Sequence, residues 1–170
     1  LPPGAGYRVH DDRNGEAYDV RIPPEPAWYR ERTSRGTLMK EVGVLQGTYL
    51  GIYVSNSCMY WYGDRAENCK FCTTGYNVGV NEVAQKDLED VVEVAARAKA
   101  ESGVTFVHFN TGYQHERGLD QIAPYVKAVK ERVGALIGVQ AVPPADRGEL
   151  WKYDWLRDLG ADHYSFCYEF

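Results

Sequence analysis

QKDLEDVVEVAARAKAESGVTFVHFN, residues 85–110, holds a helix, a stop and a strand in that order. Over residues 85–101, Leu88, Val91, Val92, Ala95 and Ala98 recur at helical spacing with Lys, Asp and Glu between them. Gly103 ends the helix, and Val104 to Asn110 then reads as a buried strand. Downstream the same unit returns. Leu119 to Arg132 carries Leu119, Ile122, Val126 and Val129 on one helical side, and Ala135 to Val142 is a strand stopped by Pro143-Pro144. Asp146 and Glu149 form a candidate capping box for a helix running to Leu159, with Gly160 after it and a last strand over 162–169. Upstream, Leu38–Leu45 and Thr48–Ser55 read as a β-hairpin turning at Gln46-Gly47. Alternation of this kind, in units of about 30 residues, predicts an α/β fold with parallel strands and right-handed helical crossovers. In such folds function gathers at the C-terminal ends of the strands.

The stretch 1–37 differs from the rest. It holds five of the eight prolines in a mostly polar context and reads as an extended arm, with the α/β core over 38–170. The chain has 170 residues and a net charge of −5, with Lys and Arg scattered, which argues against a nucleic-acid surface or a polybasic membrane surface. No apolar run approaches the roughly 20 residues that span a bilayer. No signal peptide is visible, so a cytoplasmic location is the default expectation. Because the chain starts at Leu1 and stops inside the strand-like run ending at Phe170, it reads as a fragment.

Chemistry concentrates between the predicted hairpin and the first long helix. Cys58, Cys69 and Cys72 lie on one loop in the pattern C-x10-C-x2-C. Three thiolates on one loop suit an iron–sulfur cubane with one iron left open to a small chelating molecule. A closed structural zinc site needs a fourth protein ligand, for which His108, His115 or Cys167 are candidates. A disulfide framework does not fit a chain of this size without secretion signals. On the last strand, His163, Ser165, Cys167 and Glu169 alternate with Tyr164, Phe166, Tyr168 and Phe170. The polar set is expected to face a cavity that His108, Asn110 and Gln140 share, and the aromatic set the helices. Trp151 and Trp155, four apart, read as helix packing.

The loop resembles that of the radical S-adenosylmethionine (SAM) superfamily, which carries C-x3-C-x2-C after the first strand of a partial (β/α)6 barrel. The first gap is longer here. Phe71 fills the aromatic position before the last cysteine. The chain is most similar to a subgroup encoded beside nitrilase-type enzymes, through Tyr62-Gly63-Asp64, Asn110-Thr111-Gly112, Glu116-Arg117-Gly118, Pro143-Pro144 and Glu169. The resemblance covers roughly residues 38–170 and implies the N-terminal half of a partial (β/α)6 TIM-like barrel, its first four strands, with a preceding β-hairpin. It further implies a [4Fe–4S] cluster on Cys58, Cys69 and Cys72, and SAM contacts from Phe71, Asn110, Thr111, Gly112 and Glu169. The implied reaction is reductive cleavage of SAM to start radical chemistry on a small-molecule substrate, fed by an electron donor such as flavodoxin or ferredoxin. The competing expectations are a non-catalytic zinc or Fe–S module using the same cysteines, and an ordinary barrel enzyme whose cysteines are incidental.

Overall fold

A computed structural model describes residues 6–55, 57–62, 67–115 and 117–167. Among these described residues, seven strands form two sheets. Strands β1 (Gly6–Asp11) and β2 (Glu16–Arg21) make a separate antiparallel hairpin. The larger sheet has the order β3 (Val44–Gln46), β4 (Tyr49–Tyr53), β5 (Phe106–Asn110), β6 (Leu136–Gln140) and β7 (His163–Ser165). The β3–β4 pair is antiparallel and turns through Gly47, whose φ of 65° lies in the left-handed region. Strands β4 to β7 are parallel. The connections hold a single helical turn α1 (Thr74–Asn77), then α2 (Leu88–Ser102), α3 (Gly118–Val133) and α4 (Trp151–Asp158).

Strand parity explains the layering. Leu50 and Ile52, Val107 and Phe109, and Ile137 and Val139 occupy matched positions on one sheet face, and all six are buried. They join Val91, Val94, Ala95 and Ala98 of α2, Ile122, Val126 and Val129 of α3, and Leu156 of α4 in one core. Each large side chain buried there contributes about 1.5–3 kcal/mol. The opposite face carries Tyr49, Phe106, His108 and Asn110, all half-buried. Among the described residues this sheet is open, with β3 and β7 at its edges, and no barrel closes.

Several boundaries depart from the sequence reading. Leu38–Leu45 is not one strand: Met39–Glu41 is a 3-10 turn, and Met39 and Val42 are buried three residues apart, a turn's spacing rather than a strand's. The expected capping box is half formed. Asp146 accepts the Gly148 N–H at 2.7 Å, but Glu149 pairs with Lys152 at 2.9 Å, and α4 starts only at Trp151. The last strand stops at Ser165, well short of 169. Trp151 and Trp155 do pack, with ring centres 6.0 Å apart.

The stretch 1–37 contains the β1–β2 hairpin and then a segment laid antiparallel along α2. Glu101 accepts the Ala27 N–H at 2.6 Å, and Arg97 pairs with Glu31 at 2.6 Å. Glu93 accepts from Ser34 at 2.9 Å, and Asp90 accepts from the Thr37 hydroxyl at 2.6 Å. Trp28 is fully buried, and its indole N–H donates to Ser102 at 3.0 Å.

Asp162 docks β7 onto β6. Its backbone N–H donates to the Ile137 carbonyl, and its carboxylate accepts the Ile137 N–H, both at 2.8 Å, while Lys130 also reaches the carboxylate at 2.8 Å. Burial pushes the Asp162 pKa up, but the hydrogen bonds from Lys130 and Ile137 outweigh that and hold it below the ordinary carboxylate value. A depressed folded pKa contributes stability that is present above the unfolded pKa and lost as pH falls through the folded one. Asp162→Asn is therefore expected to cost about 1 kcal/mol at neutral pH and nothing in acid. Urea unfolding of both proteins across pH checks this, and a difference that grows toward low pH would refute it.

Candidate metal and cofactor site

The C-terminal ends of the parallel strands hold the cysteine loop. Tyr53, Asn110, Gln140 and Ser165 pair across β4 to β7 as one row. Above the row lies a cavity of about 620 Å³ whose walls include Cys58, Cys69 and Cys72. Phe71, Asn110, Thr111 and Gly112 line it too. The structure thus places the three cysteines and four of the five expected SAM contacts, Phe71, Asn110, Thr111 and Gly112, on one wall; the fifth, Glu169, lies outside the described residues, as do Gly63, Asp64 and Glu116 of the resemblance.

Local folding explains how each cysteine arrives. Cys58 follows β4 and opens a 3-10 turn, Met59–Trp61, in which the Trp61 N–H donates to the Cys58 carbonyl at 3.0 Å. Cys69 and Cys72 bracket a tight turn, with the Cys72 N–H donating to the Cys69 carbonyl at 3.0 Å. The Thr74 N–H points at the Cys72 Sγ, 3.5 Å away. All three thiols are half-buried.

The segment after β5 braces the loop. The Met59 N–H donates to the Tyr113 carbonyl at 2.9 Å, and Gln114 donates to the Ser57 carbonyl at 3.1 Å. The Tyr60 and Tyr113 rings stack at 4.9 Å. Gly112 faces Cys58 so closely that a Cβ on it would stand 2.4 Å from the Cys58 Cβ and 3.0 Å from its Sγ. Burial raises the pKa of the Tyr53 phenol, and the nearby Cys58 and Cys72 thiols add to that; Ser55 and the Gly112 N–H pull the other way. The same thiol neighbourhood reaches Tyr60, whose pKa is raised by burial, then by Tyr113, Cys58, Glu67 and Cys69.

Other expected cavity residues divide. His108 hydrogen-bonds Ser165 at 3.2 Å, and burial, then the neighbouring His163, lower its pKa, so it stays neutral at pH 7. His163 and His115 are exposed. Tyr164 packs on Tyr153 of α4, as expected of the aromatic set. Phe166 departs from it: β7 ends at Ser165, alternation lapses, and Phe166 lines the cavity 54% exposed. Cys167 also lines the cavity, where the Gln140 amide donates to its Sγ at 3.0 Å. The sequence reading did not place Tyr53, Val142 or Phe166 on the cavity wall, where all three lie. Strand parity from Asn110 could have found Tyr53.

Soft thiol donors dominate this cavity, and such a donor set suits an iron–sulfur cluster better than a hard cation. As placed, the thiols share the cavity without converging: among the described residues no three His, Cys, Asp or Glu side chains form a ready metal-holding group. The residue types and their common wall fit the cluster.

No family model matches the chain. No solved structure matches it either. A biotin synthase from a Nitratiruptor species is 32% identical over 105 residues, covering 59% of this chain and 36% of that protein. The chain spans about a third of the length of this relative. The likeness supports the radical SAM superfamily, the direction in which the cysteine loop pointed. No helix among the described residues is long and apolar enough to cross a membrane.

Proposed function

We propose that this chain carries the cluster-binding part of a radical SAM enzyme. The observation that carries the reading is the shared wall: Cys58, Cys69 and Cys72 meet Phe71, Asn110, Thr111 and Gly112 around one cavity at the ends of parallel strands. The three cysteines would hold a [4Fe–4S] cluster, and the open sheet would be the first part of a partial (β/α)6 barrel. With SAM bound, such a cluster would supply the one electron for reductive cleavage of the sulfonium C–S bond, the chemistry that starts radical reactions on a substrate.

The chain's own residues orient and shield. Phe71, 67% exposed at the cavity mouth, offers a ring face to a planar base. The Asn110 and Gln140 amides offer polar contacts at the strand ends. Val142, Pro143 and Phe166 form an apolar rim that limits water. Glu169 is a further candidate contact for SAM or substrate. A small organic substrate and a flavodoxin- or ferredoxin-type electron donor complete the proposal, in a cytoplasmic setting. A second reading keeps the site as a non-catalytic zinc module, because Glu67 and Cys167 line the same cavity and either can supply the fourth ligand of a closed site.

One experiment separates the two. The full-length protein, reconstituted anaerobically with iron and sulfide and reduced with dithionite, is expected to release 5′-deoxyadenosine from SAM. The double variant Cys69→Ala, Cys72→Ala is expected to release none. Tight zinc binding with no cluster uptake and intact SAM would replace the enzyme reading with the structural one.

A further inference from the structure

We propose that Tyr53 is a positioning residue of the cluster site, its hydroxyl pinning the Gly112 peptide against Cys58 and so setting the surroundings of the iron that Cys58 would hold. The inference rests on the function proposed above.

Tyr53 is the last residue of β4, and its register with Asn110 and Gln140 directs its ring to the cavity face of the sheet. From there the phenol reaches across to the chain leaving the next strand. The Gly112 N–H donates to the Tyr53 oxygen at 2.9 Å. The hydroxyl also hydrogen-bonds Ser55. Ser55 shares a hydrogen bond with the Thr111 hydroxyl, and that hydroxyl donates to the Gly112 carbonyl at 3.1 Å. Four residues therefore close a ring that grips Gly112 by both its N–H and its C=O.

What the ring holds in place is the contact with Cys58. A single point beside Gly112, where its Cβ would stand, lies 2.9 Å from the Tyr53 oxygen and 3.0 Å from the Cys58 Sγ. The phenol and the thiol thus crowd the same side of the Gly112 Cα. A fixed hydroxyl and a fixed peptide this close to a cluster ligand act on the cluster electrostatically, because hydrogen bonds, dipoles and solvent access around the ligand sulfurs set the reduction potential. They also shield the Cys58 sulfur from solution whether or not a cluster is bound.

Tyr53→Phe removes only the oxygen and keeps the ring. A hydroxyl that merely packs would lower folding stability slightly and leave the site's electronic properties alone. The proposal expects more in the reconstituted full-length protein: a displaced midpoint potential in an EPR-monitored redox titration, and altered g-values of the reduced cluster at equal iron and sulfide content. In the metal-free protein it expects iodoacetamide to alkylate Cys58 severalfold faster in the variant, with Cys69 and Cys72 unchanged.

Should Tyr53→Phe fail to fold, Thr111→Val breaks the ring at its other hydrogen bond and is expected to move the same readings. Failure of the unaltered protein to take up iron and sulfide would bring down the proposed function and this role with it. Normal uptake with the same potential, g-values and Cys58 reactivity in the variant would overturn the role of Tyr53 alone.

Discussion

Gly112→Ala is expected to weaken cluster uptake about tenfold or more while leaving a folded protein. The added Cβ would lie 2.4 Å from the Cys58 Cβ and 2.9 Å from the Tyr53 oxygen, too close for both neighbours to stay where they are. Tyr53 sits on a sheet strand, and Cys58 is followed at once by the Met59 N–H bond to the Tyr113 carbonyl. On the Gly112 side, the Thr111 N–H is fixed to the Gln140 carbonyl at 3.0 Å. The strain must leave through the cysteine loop, which displaces the first thiol from the other two. Overpacking of this kind costs about 1–3 kcal/mol. If it falls on cluster binding, about 1.4 kcal/mol already means a tenfold loss of affinity. Iron and sulfide per chain after anaerobic reconstitution measure the effect. Gly103→Ala is the control: its φ of 67° makes the substitution destabilising, but nothing lies within 4 Å of the new carbon and the cluster is untouched. Full uptake by Gly112→Ala would show that the contact with Cys58 can relax and that the loop does not depend on it.

This glycine also marks how far the sequence could be read. Its closeness to another backbone was foreseeable from its place after a strand, but the sequence suggested a bound ligand as the neighbour, and the structure puts Cys58 there. Helix and strand order in the core was legible because Val91, Ile122, Val107 and Ile137 bury at positions set by simple periods, 3.6 or 2. What stayed hidden was pairing between distant polar groups. Asp90, Glu93, Arg97 and Glu101 lie between the apolar positions of α2, and the sequence reading assigned them no partner. The structure uses each of them to hold Thr37, Ser34, Glu31 and Ala27 in turn. No local pattern announces such a ladder, because its partners lie 53 to 74 residues away. The ring of Tyr53, Ser55, Thr111 and Gly112 was hidden for the same reason. The cavity expectation fared better at the strand ends than beyond them. Asn110 and Gln140 reached it by parity, whereas Phe166 and Cys167 line it only after β7 has stopped and alternation no longer applies.

The ladder on α2 leads to the other large effect. Trp28→Ala is expected to destabilise the whole α/β unit by about 3–5 kcal/mol, the range for truncating a buried large aromatic side chain. Trp28 has no solvent exposure, sits edge-on to the Tyr29 ring at 4.5 Å, and belongs to the same core as Leu50, Val91 and Phe109. Its removal leaves a cavity and strips Ser102 of the indole N–H at the C-terminal turn of α2. The consequence runs on toward the site. The Tyr29 hydroxyl accepts the Leu45 N–H at 2.8 Å and so props β3, which pairs with β4, whose end carries Tyr53 and leads to Cys58. Cluster retention during a urea titration should therefore fall in step with folding in Trp28→Ala. By contrast, Val9→Ser on the exposed β1–β2 hairpin should change neither, since that side chain is 52% exposed. A proline-rich stretch that served only as an arm would tolerate Trp28→Ala almost as well as Val9→Ser. Coincident loss of fold and cluster would instead make residues 27–45 the support on which the first cysteine is carried.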